Sequence, residues 1–425
     1  MGNYSVAKKI AIVGSGISGL VAGHLLSRKH HVTVFEANDY LGGHTATIEV
    51  KVDGKNLAVD TGFIVYNDRT YPNFIALLNQ LGVASQKTQM SFSVHNEVNG
   101  LEYNGHNLNT LFAQRRNLLS LKFYRFIKEI LRFNRLAKQT SLSEMNGSAH
   151  TLGEFLELHR FDNYFSTNYI LPMVAAIWSS SIESSRQMPL RFFLQFFNNH
   201  GLLDIANRPQ WYVVKGGSNS YIPPLVQPIQ NIRKNAAVHS VLRSNGKVQV
   251  TFVEHGDTHV NDFDEIIMAC HSDQALKILV DATEEEKSIL GKIKYTNNEV
   301  VLHTDKTLLP TARNATASWN YWLDTNTSKL PSLTYSMNIL QQLNTSSSVC
   351  VTLNKTEAIA PKKILRKFSY AHPVISQQAV EAQQQRKNIC GQHHTHFCGA
   401  YWYNGFHEDG VKSALDVCER FGETL

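Results

Sequence analysis

Four apolar residues, Ile10 to Val13, stop at Gly14, the pattern of a short buried parallel strand. Leu20, Val21, Leu25 and Leu26 follow at helical spacing, and Val32, Val34 and Phe35 make a second strand ending at Glu36. Helical spacing returns over Pro72 to Leu81. It is strongest over Leu118 to Lys138, where Leu119, Phe123, Phe126, Ile127, Ile130 and Phe133 or Asn134 recur at i, i+3, i+4. Thr151 to Leu203 stays mainly helical and aromatic. Phe192, Phe193, Phe196 and Phe197 are too many for an ordinary surface helix, which places most in a core and some along an apolar pocket. The texture changes at Trp211 to Tyr221, and from Ala236 to Ala269 short runs broken by Asn245-Gly246 and Gly256-Asp257 predict a β-meander. A late strand, His396 to Ala400, leads through a glycine loop into a helix expected near Asp409. Strands returning after a long helical stretch imply a discontinuous α/β domain with a helical and mixed α+β insertion.

The first strand, turn and helix carry chemistry. Gly14, Gly16 and Gly19 match G-x-G-x-x-G, in which the first glycine permits the tight turn, the second lets a pyrophosphate approach the backbone, and the third lets helix and strand touch. Glu36, 22 residues after Gly14, stands where a ribose-binding acid belongs. A glycine-rich turn in an unrelated α/β protein would explain the glycines but not Glu36. The pattern therefore predicts a dinucleotide site of Rossmann type, with NAD and FAD not yet separated.

Bulk properties narrow the class. At 425 residues the chain suggests two or three domains, and 43% apolar with 18% charged residues is ordinary for a globular protein. No stretch offers about 18 uncharged apolar residues, so no spanning helix is expected. MGNYSVAKK runs straight into the first strand with no room for a cleavable signal, and Val6 breaks the myristoylation pattern. Five irregularly spaced cysteines argue for a reducing compartment, with the cytoplasm as the default. The net charge of +6 is concentrated: from Ala113 to Lys138, eight basic residues face one acid, Glu129. Such a helix, over 115–138, either lies on an anionic membrane surface, placing the protein peripherally on the membrane's inner face, or packs on a core with a solvated basic side. Nucleic acid is not expected, since no recognition motif accompanies the charge.

The second glycine pair, in Leu41-Gly42-Gly43-His44-Thr45, turns the reading toward FAD, because a dinucleotide extended across the domain needs more backbone contacts than an isolated βαβ unit supplies. With Gly14, Gly16, Gly19, Glu36, Asp60-Thr61-Gly62, Gly216-Gly217, Phe397-Cys398-Gly399, Gly405 and Gly410, the chain resembles the flavin-containing amine oxidoreductase superfamily. Trp178-Ser179, Asn199-His200-Gly201, Pro209-Gln210-Trp211, Ala269 to Asp273, Trp319 to Tyr321, Tyr370 to Pro373 and Gly405 to Gly410 are similar to a bacterial branch whose relatives stand beside, or are fused to, cyclopropane-fatty-acid-synthase-type enzymes. The resemblance implies an amine-oxidase-like fold. Its FAD-binding domain would be built from 1–85, 205–272 and 385–425, and its substrate-binding domain from 86–204 and 273–384. It implies that Ser15, Gly16 and Ser18 lie by the pyrophosphate, Glu36 holds the ribose, and Gly42, Gly43, His44 and Thr45 run along the FAD. It further implies that Val238 meets adenine through its backbone, that Gly399 closes the late strand, and that Gly410 and Val411 open the last helix beneath the flavin. Two departures stand out: His44 where the superfamily often has Arg, and Ala400 where it often has an acid.

For chemistry, the resemblance implies hydride transfer from a substrate carbon to the flavin. Tyr401 and Trp402 are candidate aromatic walls and His407 the favoured acid/base candidate; His200, His271 and His372 could act likewise or be structural. The aromatic insertion, the basic helix and the branch's neighbourhood favour a lipid-like substrate, an activated fatty acyl chain, in a desaturase or oxidase. The alternatives are a mono- or polyamine oxidase, and a non-catalytic FAD-bearing partner of a fatty-acyl methyltransferase. Cys390, His393, His394, His396 and Cys398 lack the tight spacing of a zinc site, so no metal is expected, and Cys398 is not expected to link covalently to a flavin. Ser18 lacks the G-x-S-x-G frame of a hydrolase because Leu20 takes the last glycine's place.

Overall fold

A computed structural model describes residues 6–140, 150–204, 206–324 and 329–425. Most of the N-terminal segment used in the signal and myristoylation readings lies outside the described residues. Lys9–Val13 is the central strand of a five-stranded sheet. His31–Phe35 and Glu265–Met268 flank it, with Asn231–Arg233 and Thr395–Phe397 outside them. Every pairing in this sheet is parallel. Ile10, Ile12, Val32, Val34, Ile266 and Ile267 are fully buried, which is why these strands read as unbroken apolar runs rather than alternating ones. The helix Ile17–Leu26 packs over the sheet and against the last helix, His407–Cys418. The meander Ala236–Ser244, Lys247–Glu254, Asp257–Phe263 buries Val248, Val250 and Phe252 in the same core.

A second, seven-stranded sheet runs in the order Ile364–Pro373, Tyr295–His303, Cys350–Leu353, Ser332–Ser336, Trp319–Leu323, Phe92–Asn96, Leu101–Asn104. It is antiparallel except where Trp319–Leu323 meets Phe92–Asn96. On one side it packs against helices that include Leu121–Gln139, Leu152–Leu158, Leu171–Trp178 and Leu190–Asn199. Phe133 anchors this helical core, its ring 5.5–6.1 Å from those of Phe155, Phe161, Phe165 and Phe193. Against Val300, Leu302 and Val351 of the sheet sits a hairpin, Thr47–Val52 with Lys55–Asp60.

Packing departs from the sequence-based division in two places. Ala275, Leu279, Ile289, Leu290 and Ala379, expected with the substrate-binding part, are buried in the first core, because short helices after each crossing cover the parallel sheet. Arg243 ties that cover down through Asp281 and Glu286. Conversely Ala46, Val59 and Ile64, expected with the first domain, pack with the second sheet.

Element ends also differ. The basic segment opens as a tight turn, Arg115–Leu119, and its helix begins at Leu121, where the Ser120 hydroxyl accepts from the Phe123 amide at 3.3 Å. The late strand is only Thr395–Phe397, and the last helix starts at His407, two residues before the expected position. All five cysteines are free. Among the described residues no helix is long and apolar enough to cross a membrane.

Candidate active site

Glycine segments far apart in sequence converge on one end of a cavity of about 1490 Å³. Gly14 has φ +105°, and its amide donates to Phe35 O at 2.9 Å. A Cβ on Gly19 would lie 2.0 Å from Gly14 O, so that glycine is needed for helix and strand to touch. Gly16 is different: a Cβ there would meet nothing within 4 Å, because it would point into open space. Gly42 N donates to Ser15 O at 2.9 Å, and a Cβ on Gly43 would stand 3.3 Å from Gly16 Cα. A Cβ on Gly62 would strike His44 O at 2.2 Å, and Gly217 abuts Thr47 while Ser218 N donates to Asp60 Oδ1 at 2.8 Å. The segments around Gly14–Gly19, Gly42–Gly43, Gly62 and Gly217 are thus neighbours in one backbone cradle.

The cradle fits FAD. Ser15, Gly16, Ile17 and Ser18 face the cavity at the start of a ten-residue helix that has no side-chain cap and no acid in its first turn. Its amides are available to an anion, as a pyrophosphate requires. The last helix packs close by: a Cβ on Gly410 would lie 2.6 Å from Ile17 Cγ2 and 3.2 Å from Ser18 Oγ. Glu36 is buried at the same end. Its Oε2 accepts from Ser15 N at 3.1 Å and Ser15 Oγ at 2.5 Å, and its Oε1 accepts from Asn38 N and Nδ2, each at 2.8 Å. The Ser15 and Asn38 side chains can rotate away, leaving acceptor positions for ribose hydroxyls. Val238 lines the cavity beside Ala237 at a bulge in the meander's first strand. His44 lines the wall, and its Nε2 is buried without a partner.

From this end the cavity runs on to Gly399, Tyr401 and His407. Gly410 and Val411 do not line it: they are buried in the contact between the last helix and the first, where absence of a side chain at 410 sets the approach. Thr45 and Gly19 likewise stand behind the wall. The Thr45 hydroxyl bonds to Tyr221 Oη, which bonds to His407 Nε2 at 2.7 Å. The His407 ring stacks on Phe63 at 3.7 Å and 7°, and burial pushes its pKa down to about 3. It is a neutral, positioned ring at neutral pH rather than a proton-bearing acid. Tyr401 reaches the cavity, with its hydroxyl buried and without a partner. Trp402 does not, because the tight turn Ala400–Trp402 sends it to the other side, over Arg386 at 5.6 Å. The loop they share is joined to the aromatic insertion: Trp178 Nε1 donates to Asn404 O at 3.3 Å, and Phe406 stacks on Phe196.

The remaining wall is apolar and aromatic, drawn from Phe92, Tyr103, Ile127, Ile130, Met173 and Ile177 among others. Glu36 is the only carboxylate among the described lining residues. Sequence reasoning missed Phe63 and Tyr335 and gave Trp319 no place in the site; the three come from separate elements, and Trp319 and Tyr335 are cross-strand partners with rings 5.1 Å apart. A signal did exist for Asn134, a polar residue in the apolar register of its helix, which lines the cavity with its Oδ1 buried and unpartnered. His44 also lies near His271 and His372, at 6.2 and 5.6 Å between rings. Burial pushes His44 down to about 3 and His372 to about 4. His271 stacks on Tyr295, the His372 Nδ1 pairs with Ser179 Oγ at 2.9 Å, and His200 stacks on Phe196 with its pKa pushed down to about 4.

The late cysteine and histidine group is dispersed. His396 Nε2 faces Glu265 at 3.4 Å, Cys390 Sγ accepts from Phe397 N at 3.5 Å, and Cys398 is fully buried at the strand's end with its pKa pushed up. Among the described residues no group of three such side chains is placed to hold a metal ion.

A family model described as flavin containing amine oxidoreductase matches residues 17–350. Among solved structures, a candidate protoporphyrinogen oxidase from Exiguobacterium sp. 255-15 superposes with a TM-score of 0.68 at 16% identity, over 97% of this chain and 98% of that one. A fatty acid isomerase from P. acnes that produces CLA gives 0.67 at 14% identity, over 98% and 99%. Cyclohexylamine oxidase from Brevibacterium oxydans IH-35A gives 0.67 at 14%, over 98% and 100%. These identities establish likeness of fold alone. No curated protein sequence matches the chain.

Proposed function

The chain belongs to the flavin-containing amine oxidoreductase family and is an FAD-dependent oxidoreductase, and from that premise we propose that its substrate is lipid-like, an unsaturated or otherwise activated fatty acyl chain. The observation that carries this reading is the wall beyond the cofactor cradle. It is apolar and aromatic, and its one carboxylate, Glu36, is at the far, ribose-binding end. A polyamine, cationic at neutral pH, would leave its charges buried without counter-ions, at a cost of several kcal/mol per charge. An acyl chain gains about 0.8 kcal/mol for each buried methylene.

FAD, when bound, supplies the acceptor for a hydride. The amides of residues 15–18, Glu36 and the backbone of Gly42, Gly43 and Val238 would hold it. Phe92, Ile127, Ile130 and Met173 orient the chain and exclude water. Asn134, with its free Oδ1, is the polar contact for a hydroxyl or protonated head group. His44, His372 and His407 stay neutral, so these three rings add no charge to the cavity wall. On this reading the cyclopropane-type branch and a fatty-acyl methyltransferase partner remain part of the proposal, because such an enzyme would generate the activated, branched chain.

Anaerobic titration of the flavin-loaded protein tests the substrate class. Bleaching of the visible flavin band by unsaturated or methyl-branched acyl chains, with none by mono- or polyamines, is expected. Bleaching by amines alone would overturn it. Product analysis separates net oxidation from isomerisation, the chemistry named for the P. acnes fatty acid isomerase of the same fold.

A further inference from the structure

We propose that the surface around the cavity mouth, formed by residues 108–131, docks on an anionic lipid bilayer. Leucines stand out where a water-facing surface would not collect them: Leu119 is 92%, Leu121 87% and Leu108 75% exposed. They form one patch. Arg115 donates to Asn109 Oδ1 at 2.6 Å and to Phe112 O at 3.0 Å, holding residues 108–112 against the turn that carries Leu119. The Phe112 ring then packs on Phe123 and Tyr124 of the helix, 5.3 and 5.8 Å away. Leu108 and Leu131 are exposed and also line the cavity, so the patch borders an opening of it. On the helix, Tyr124, Ile127, Leu131 and Asn134 form one flank that runs from the patch into the cavity.

The charge around the leucines identifies what covers them. Arg116, Lys122, Arg125, Lys128 and Arg135 are exposed, and among the described residues none of the five has an ion-pair partner. Arg132 and Lys138, by contrast, are paired with Glu129 and Asp204. Apolar residues on one segment with exposed cations that no carboxylate neutralises match the boundary between acyl chains and anionic headgroups. A bilayer is favoured over an acidic protein because the opening borders the patch and leads to an apolar wall, so an apolar molecule can pass from one to the other without crossing water. The inference concerns binding and goes beyond the proposed substrate class. Its test reads no turnover, so the two can fail separately.

The experiment is flotation of the full-length, flavin-loaded protein with vesicles of phosphatidylcholine alone or mixed with phosphatidylglycerol. Partitioning onto the anionic vesicles at least about tenfold stronger than onto the neutral ones, weakening at high salt, is expected. The double variant Leu119→Asp, Leu121→Asp, whose positions lie outside the cavity wall, is expected to lose at least about tenfold in partitioning while keeping its flavin content and melting temperature. Absence of binding to anionic vesicles at low salt would overturn the proposal. So would undiminished binding by a folded double variant, or a dimer in solution that the same substitutions dissociate, which would give the patch to a second copy of the chain.

Discussion

Two glycines three residues apart separate cofactor binding from folding. Gly16 caps the first helix at φ −64°, ψ 174°, a conformation open to any residue, and space lies where its Cβ would go. Gly16→Ala should leave the stability of the flavin-free protein within about 0.5 kcal/mol of the parent. FAD affinity should fall by more than about tenfold, since the methyl group occupies the cofactor's approach. Gly19→Ala instead pushes a methyl group to 2.0 Å from Gly14 O and should cost about 3 kcal/mol of fold stability or prevent folding. Melting temperature and flavin retention, measured on both variants, check the pair; equal loss of stability would contradict the assignment. Not every residue was so legible. The G-x-G-x-x-G spacing contains these roles, because the motif is local. Trp402 and Tyr401 are equivalent as sequence, and only the turn at Ala400–Trp402 sends one to the cavity and the other to Arg386.

Among elements, the first strand, helix and second strand follow directly from periodicity and punctuation, since buried parallel strands and their crossover need little from the rest of the chain. The basic helix is a mixed case. Its periodicity correctly places Phe123, Phe126 and Phe133 in a core. It could not show that a flank of the same helix lines a cavity mouth, because that depends on where the second sheet and the insertion meet it. The last helix starts at His407 because Asp409 accepts from the Phe406 amide at 2.9 Å, a bond that only the folded turn reveals. Gly410, read as opening the last helix beneath the flavin, sets how closely two helices approach.

The molecule as a whole carries an acid weakness. Burial lowers the pKa of His44 and His407 to about 3, and of His200, His303 and His372 to about 4. These rings are neutral in the fold, whereas in the unfolded chain they take up protons below about 6.5. The unfolded state therefore binds more protons, and stability present above pH 6.5 is lost progressively as pH falls toward about 4. Asp60 and Asp409, raised to about 6 by burial, act in the opposite sense below about pH 6, over most of that window, but they are two against five. His303 lies outside the cavity wall, bonded to Thr352 Oγ1 at 2.7 Å and to the Asp305 amide at 3.0 Å. It alone should contribute about 2 kcal/mol of the loss between pH 7 and pH 5. Thermal unfolding across that range should show a falling melting temperature, with a shallower fall in His303→Gln; a flat or rising profile would contradict this account.

At the same scale, the discontinuous α/β architecture was legible because glycine motifs recur at both ends of the chain. The division into domains was less so: Ala275 and Ile289 join the first core, and Val59 joins the second sheet, through contacts no local pattern encodes. The central claim is that the cavity beyond the FAD cradle is built for an uncharged apolar chain. It is tested most directly by calorimetric binding of saturated fatty acids of increasing length to the flavin-loaded protein, with putrescine as the cationic control. Affinity is predicted to rise roughly three- to fourfold per added methylene until the cavity is filled, with no measurable binding of putrescine. An affinity independent of chain length, or putrescine binding tighter than any of the acids, would contradict it.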